Sequence, residues 1–136
     1  MTISNTDLSD AIALLSRGQL PAAEVAFQQL LNAGRHPAEA YHFLGVIAYQ
    51  KGEQARAIEL IEQAIALNPR EPAFFNNLGV LYRASGRTED ALQCYEAAVQ
   101  LAPGNWESLC NLGETYRVLQ RFDDAIRILQ EALRLN

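Results

Sequence analysis

The side chains of this sequence that could bind a metal ion or act as a nucleophile are two histidines and two cysteines. They are His36, His42, Cys94 and Cys110. A zinc site needs three or four such ligands at short spacings, and a cysteine nucleophile needs a histidine base beside it. The cysteines lie far in sequence from each other and from the histidines. We therefore expect no metal site, no catalytic thiol and no cofactor.

Paired carboxylates are the second group with possible chemistry, because two neighbouring acids can serve as general acid and general base. The chain has two such pairs, Glu89-Asp90 and Asp123-Asp124. Each pair opens a segment with helical apolar spacing, where acids stabilise the positive end of the helix dipole. The glycines form neither a phosphate loop nor a dinucleotide-binding fingerprint. The sequence therefore predicts that the chain is not an enzyme by itself.

Composition and charge narrow the class of protein further. The 136 residues suit one domain, 49% of them are apolar, and the formal net charge is −5. The basic residues are scattered, without the positive cluster that marks a nucleic-acid binder. No apolar run could span a membrane and the start lacks a signal-peptide pattern, so we expect a cytoplasmic protein. The preference for Arg over Lys is typical of bacteria with GC-rich genomes.

A period of 34 residues relates six of the eight glycines in the sequence, together with four alanines and two prolines. The recurring positions fall into four sets: Gly18, Gly52 and Gly86; Gly45, Gly79 and Gly113; Ala23, Ala57, Ala91 and Ala125; Pro69 and Pro103. Four sets that share one period indicate an internal repeat. The chain is therefore built from copies of one structural unit.

Each repeat contains two stretches of helical apolar spacing, here called helix A and helix B. In the third repeat, the predicted buried stripe of helix A is Phe75, Leu78, Gly79 and Tyr82, and that of helix B is Ala91, Tyr95 and Ala98. The small residues allow the two helices to approach closely, since larger side chains there would cost about 1–3 kcal/mol. Gly86, between the helices, suits the left-handed residue that closes a helix.

These residues resemble the tetratricopeptide repeat (TPR), a helix–turn–helix unit of 34 residues. The repeats at 38–71, 72–105 and 106–136 carry the family's Leu-Gly in helix A, as at Leu78-Gly79. Residues 4–37 match less well, and we interpret them as a divergent first repeat with a tighter turn at Arg17-Gly18. The resemblance implies an all-α fold, a right-handed α-solenoid of about eight helices that forms a single TPR domain over 1–136.

The fourth repeat stops where a closing proline and a polar capping helix would follow in many TPR proteins. Stacked repeats need such a cap for solubility. We expect the chain to be a fragment or the N-terminal domain of a longer protein. Self-association through the uncapped end and a complete small protein with a frayed last helix are the alternatives.

In TPR folds the A helices line a concave groove, and the predicted buried stripe fixes which residues face it. The predicted groove residues are His42, Phe43, Val46 and Tyr49 in the second repeat, Asn76, Asn77, Val80 and Arg83 in the third, and Cys110, Asn111, Glu114 and Arg117 in the fourth. The first repeat would present Thr6, Ser9, Asp10, Ala13 and Arg17. The resemblance implies that a peptide or protein segment binds there.

Asn77 and Asn111 both precede the Leu-Gly, one repeat apart. An asparagine offers a donor and an acceptor, so the pair could hold a peptide backbone. They resemble two rungs of the asparagine ladder in the TPR superhelix of O-linked N-acetylglucosamine transferase, although Phe43 and Ser9 occupy the other two rungs. A general preference for Asn beside Leu-Gly in the family is the structural alternative.

The remaining predicted groove residues supply apolar and charged groups. Phe43, Val46 and Tyr49 are candidate hot spots, because exposed apolar and aromatic side chains in a concave site often anchor a partner. Arg83 and Arg117 could meet an acidic partner or pair with Glu114 as a solvated face. The Lys/Arg clamp with which some TPR domains hold a chaperone C-terminus is absent.

The sequence thus predicts a protein–protein interaction scaffold that does not bind nucleic acid and does not insert into membranes. One alternative is an accessory TPR domain of a larger enzyme such as a glycosyltransferase. Another is a self-assembling scaffold, a homo-oligomer formed through the uncapped C-terminal end.

Overall fold

The computed structural model describes residues 7–135, and this part of the chain forms α-helices and no β-strand. The helices are α1 (Leu8–Ser16), α2 (Leu20–Asn32), α3 (Pro37–Gln50), α4 (Gln54–Leu67), α5 (Pro72–Ala84), α6 (Thr88–Leu101), α7 (Trp106–Val118) and α8 (Phe122–Leu135). The odd-numbered helices are the predicted A helices and the even-numbered ones are the B helices. The all-α fold class is therefore confirmed.

Local sequence signals explain where several helices begin. Pro37 and Pro72 occupy the first helical positions of α3 and α5, where a missing N–H costs no hydrogen bond. The helix α7 begins after Asn105, whose side-chain oxygen accepts a hydrogen bond from the backbone N–H of Ser108 at 3.0 Å. Each helix is two to four turns long, so packing against its neighbours supplies most of its stability.

Contacts divide the chain into two compact parts, Met1–Pro69 and Arg70–Asn136, here called the N-terminal half and the C-terminal half. In the N-terminal half, α1 packs on α2, α2 on α3, and α3 on α4. In the C-terminal half, α5 packs on α6, α6 on α7, and α7 on α8. Each half thus contains two helix–turn–helix pairs, with the second pair packed on the B helix of the first.

The glycine of the Leu-Gly pair lies where helix A crosses helix B, as the sequence predicted. A Cβ atom at Gly79 would stand 2.6 Å from Cε1 of Tyr95. The corresponding distances are 2.6 Å from Gly45 to Ile61 Cγ1 and 2.6 Å from Gly113 to Leu129 Cδ2. Carbon atoms in contact normally lie about 3.5–4.0 Å apart. The glycine therefore permits the close approach of the two helices in each of these pairs.

The turn at Arg17-Gly18 is no tighter than the others, so this detail of the sequence interpretation is wrong. Three residues separate the helices in the first pair and in the later ones. In the first turn, the backbone N–H of Gln19 donates to the carbonyl of Leu14 at 3.0 Å, and Arg87 and Tyr82 repeat this bond at 2.8 Å. Gly18, with φ of 75°, adopts the left-handed conformation that closes α1, as Gly86, with φ of 78°, does after α5.

The spacing predicted that Phe75 belongs to the buried stripe of helix A, but the adjacent Phe74 is buried instead. Phe75 itself is only half-buried. Both lie close to the centre of the apolar arc, and the spacing alone did not distinguish them. Leu78, Gly79 and Tyr82 are buried as predicted, together with Ala91, Tyr95 and Ala98 of α6.

The helix α8 has one apolar face that the described residues leave uncovered. Phe122, Ile126 and Leu133 are 56%, 55% and 73% exposed. The corresponding face of α6 is covered by α7, and Leu92, in the place of Ile126, is buried. A helix placed on α8 as α7 is placed on α6 would bury this face.

Candidate binding surfaces

In the N-terminal half, the structure separates the four predicted groove residues of α3 into two kinds. Val46 is half-buried and Tyr49 is exposed. His42 is buried, so the prediction that its side chain is exposed in the groove is wrong. Burial lowers the pKa of its imidazole from 6.5 to about 4, while the nearby Glu39 carboxylate acts in the opposite direction.

Phe43 is also less open than the sequence suggested. Its ring stacks on that of Phe27, with ring centroids 5.0 Å apart and an angle of 19° between the planes. The side chain is half-buried against the core of the N-terminal half. Phe43 therefore contributes first to packing between α2 and α3. Less of its ring is therefore accessible to a partner than the sequence predicted.

The first repeat contributes polar residues from the short helix α1. Ser9, Asp10 and Arg17 are exposed, and Ala13 is half-buried. The hydroxyl of Ser9 donates to the Asp7 carboxylate at 3.1 Å, next to the start of the helix. Thr6, the remaining residue expected there, lies outside the described residues.

In the C-terminal half, all eight predicted groove residues are exposed or half-buried on α5 and α7. Val80, Arg83 and Arg117 are exposed, and the others are half-buried, namely Asn76, Asn77, Cys110, Asn111 and Glu114. The two helices are the A helices of successive repeats, and α6 lies against both. This half therefore presents a surface of amide, charged and small apolar groups between α5 and α7.

A cavity of about 310 Å³, here called the Tyr95 cavity, opens on this surface and is lined by Val80, Arg83, Ala84, Tyr95 and Asn111. Tyr95 has no exposed surface, and its hydroxyl has no hydrogen-bond partner within residues 7–135. Burial raises the pKa of this hydroxyl, and the positive charge of Arg83 opposes the rise. Arg83 forms no ion pair in the same stretch of chain.

Tyr95 is a site residue that the sequence reasoning missed. The pattern placed it in the buried stripe of helix B, and its ring does pack there against Gly79. Tyr95 also contributes to the lining of the Tyr95 cavity, and its hydroxyl oxygen is buried there. The available signal was its residue type, because Phe27, Ile61 and Leu129 occupy the same register without a polar atom.

A second cavity, here called the Asn76 cavity, measures about 280 Å³ and lies towards the beginnings of α5 and α7. Its lining includes Glu71, Ala73, Asn76, Asn77, Asn105 and Glu107. The Nδ2 group of Asn76 donates to the hydroxyl of Ser108 at 2.8 Å. Its Oδ1 atom is buried without a partner among the described residues. This cavity thus combines two carboxylates with an unused acceptor.

The two arginines of this surface differ in their pairing. Arg117 donates from Nε and Nη2 to the Glu114 carboxylate at distances of 2.5–3.1 Å. These bonds lower the pKa of Glu114, and the charge of Arg83 acts in the same direction. The ion pair suggested by the sequence is therefore present for Arg117. Arg83, in contrast, forms no ion pair in residues 7–135, and it lies close enough to Tyr95 and Glu114 that its charge acts to lower the pKa values of both.

The described part of the chain contains no arrangement typical of metal-dependent or cysteine chemistry. No three His, Cys, Asp or Glu side chains within it are grouped closely enough to hold a metal ion. Cys94 is buried and Cys110 is half-buried, and neither forms a disulfide. None of the helices in residues 7–135 is long and apolar enough to cross a bilayer.

Comparisons with known proteins agree with this architecture. Two tetratricopeptide-repeat family patterns match the chain, one over residues 8–72 and one over residues 72–136. A crystal structure of MamA superimposes with a TM-score of 0.86 and 25% identity over 96% of this chain and 78% of that chain. The second TPR of Spaghetti (RPAP3), bound to the HSP90 peptide SRMEEVD, gives a TM-score of 0.70 and 20% identity over 74% of this chain and 94% of that one.

Two curated proteins are similar over about half of the chain. A TPR repeat-containing protein of Pseudomonas aeruginosa is 39% identical over 57 residues, which are 42% of this chain and 23% of that protein. Cellulose synthase operon protein C of Komagataeibacter xylinus is 36% identical over 64 residues, 47% of this chain and 5% of that protein. The chain thus spans less than a quarter of either relative. With the phased glycines, the paired helices and the two family matches in agreement, the chain belongs to the tetratricopeptide-repeat family.

Proposed function

We propose that this chain is a protein-interaction module that binds a peptide or protein segment on the open faces of its A helices. The surface between α5 and α7 carries this proposal, because it combines two cavities with amide and charged side chains, and because the buried Oδ1 atom of Asn76 has no partner among the described residues. Asn77 and Asn111 line these cavities at matching places in successive repeats. Each can offer both a donor and an acceptor to a peptide backbone.

Two further observations support the proposal. A TPR structure with a bound HSP90 peptide shares the fold of this chain, and so the architecture accommodates a peptide ligand. In the N-terminal half, the exposed Tyr49 and the half-buried Val46 add apolar surface on α3. Exposed aromatic and apolar groups in a concave surface are common anchors of protein interfaces.

The proposal is tested by comparing two double variants in a partner-capture assay. Asn77→Ala with Asn111→Ala should weaken retention of partner segments on a peptide array about tenfold or more, since two amide contacts are removed. The matched control is Gln93→Ala with Gln100→Ala, which removes two exposed amides from α6. Circular dichroism should give similar melting for both. Equal retention by the two double variants would contradict the groove assignment.

A second proposal is that the chain is the interaction part of a larger enzyme system. The similarity to cellulose synthase operon protein C supports it, although that similarity involves only 5% of the relative's length. Immunoblotting of lysate from the native source distinguishes the two proposals. A native band well above the 15.1 kDa of this chain is expected if further domains are attached. A band at that mass would contradict the second proposal.

A third proposal is self-association through α8, with a second copy of the chain as the occupant. The supporting observation is that the face occupied by Phe122 and Ile126 corresponds to the one that α7 covers on α6. A head-to-tail contact of this kind does not close and would build open assemblies. Sedimentation velocity should then show mass rising with concentration, and Ile126→Glu should abolish the rise. A monomer at all concentrations would exclude this proposal.

A further inference from the structure

The Tyr95 cavity is lined by groups that can donate hydrogen bonds to an anion. The hydroxyl of Tyr95 is buried and unpartnered within residues 7–135, and Arg83 carries a positive charge that no carboxylate there neutralises by an ion pair. Asn111 adds a side-chain amide to the same lining. Arg117 pairs with Glu114, a carboxylate of the same surface. A guanidinium, a hydroxyl and an amide together suit a carboxylate group.

The Asn76 cavity has the opposite character. Glu71, just before α5, and Glu107 of α7 line it, and the Oδ1 atom of Asn76 is buried with no donor among the described residues. Buried polar atoms are usually satisfied by a partner, so this acceptor calls for a donor. Two carboxylates and a free acceptor suit an ammonium or guanidinium group. A cation is therefore the complementary ligand here, as an anion is at the Tyr95 cavity.

The distance between the two cavities follows from the helix that lines both. Asn76 and Arg83 lie two turns apart on α5, which corresponds to about 11 Å at 1.5 Å per residue. An extended peptide advances about 3.3 Å per residue, so three residues cover this distance. A basic and an acidic side chain three positions apart would reach the two cavities together.

We propose that the surface between α5 and α7 selects an extended segment carrying one basic and one acidic side chain about three positions apart. The acidic group binds at Arg83, Tyr95 and Asn111, and the basic group binds beside Glu107 and Asn76. This inference rests on the proposed function, because it names the class of segment that the same surface binds. Charge complementarity sets the selection, and the asparagines hold the backbone.

The test uses fluorescein-labelled, C-terminally amidated octapeptides in an anisotropy titration with the full chain. One peptide has Lys-Val-Thr-Glu at its centre and a second has Glu-Val-Thr-Lys, so that both chain directions are sampled. In three analogues of each, glutamine replaces the glutamate, the lysine or both. At least one of the two charged peptides should bind on the order of tenfold more tightly than its doubly substituted analogue.

Protein variants then assign each charge to its cavity. Arg83→Gln should remove the preference for glutamate over glutamine, and Arg83→Glu should reverse it, so that the glutamine analogue binds more tightly than the glutamate peptide. Glu107→Gln should remove only the preference for lysine. Arg127→Gln, an exposed arginine on α8 that pairs with Asp124, is the matched control and should leave all affinities unchanged. The charge reversal is a result that loss of structure cannot produce.

Two negative results are distinguishable. If the peptides bind regardless of their charges, and binding still depends on Asn77 and Asn111, the selection is wrong and the proposed function stands. If the full chain binds neither charged peptide more tightly than its uncharged analogue, the selection is also wrong. If, in addition, the array with the Asn77→Ala, Asn111→Ala variant shows no loss of retention, the proposed function fails as well.

Discussion

Moderate acidification should destabilise the N-terminal half because of one buried imidazole. His42 is 7% exposed on α3, and burial lowers its pKa from 6.5 to about 4, with Glu39 partly opposing the effect. In the unfolded chain the imidazole has its ordinary pKa. As the pH falls below 6.5, the unfolded chain takes up a proton that the folded protein does not bind until about pH 4. This contribution to stability is complete above pH 6.5 and is lost as the pH falls towards 4.

The size of the effect follows from the two pKa values. A pKa that falls from 6.5 to about 4 represents about 3 kcal/mol of unfolding free energy, at roughly 1.4 kcal/mol per pH unit. Between about pH 6.5 and 5.5, carboxylates with ordinary pKa values remain mostly ionised, so the histidine dominates the change. We expect the free energy of unfolding to fall by about 1 kcal/mol over this interval.

Urea denaturation followed by circular dichroism measures this change. His42→Gln should make the unfolding free energy nearly independent of pH in the interval, because it removes the buried imidazole. His36→Gln, which removes the exposed histidine, is the control and should keep the wild-type dependence. A pH dependence that persists in His42→Gln would refute the reasoning. So would an NMR titration of the His42 ring with a midpoint near 6.5.

Three other substitutions test the helix turns and crossings by chemical denaturation. Gln120 holds φ of 61° where other repeats place a glycine, so Gln120→Gly should raise the unfolding free energy by about 1 kcal/mol; no gain would mean that the turn is unstrained. Gly86→Ala, at φ of 78°, should lower it by a similar amount, and an unchanged value would contradict the same argument. Gly79→Ala places a methyl group against the Tyr95 ring, and about 1 kcal/mol of helix preference offsets only part of the overpacking. We expect a net loss of about 1 kcal/mol there, and a stabilised variant would show that the ring moves aside.

Features that recur with the repeat period could be predicted from the sequence. The glycines of the turns, the glycines at the helix crossings and the small residues of helix B all depend on backbone geometry within one repeat. Gly79 and Gly86 illustrate this, since one faces Tyr95 across the crossing and the other adopts a positive φ. The spacing of residues within one repeat is therefore sufficient to predict where these glycines lie. The paired helices of the C-terminal half therefore lie where the pattern placed them.

Side-chain exposure on the A helices was predicted less well, because it depends on residues that are distant in sequence. His42 and Phe43 were assigned to an open face by helical register, yet one is buried and the other stacks on Phe27 of α2. A register identifies the face of a helix on which a residue lies. It does not specify how far the neighbouring helix covers that face.

One pair of positions accounts for much of the difference between the two halves. Phe27 and Tyr95 lie at the same place in helix B, two repeat periods apart, and Phe43 and Asn111 are related in the same way in helix A. In the N-terminal half the pair forms a ring stack with centroids 5.0 Å apart, which fills the surface between α2 and α3. In the C-terminal half the pair lines a cavity of about 310 Å³ with a hydroxyl and an amide. The repeat pattern does not restrict the residue types at these two positions, because either pair is compatible with the same helix crossing. The chemistry of the surface between successive helices can therefore change at such positions while the packing that defines the repeat stays the same.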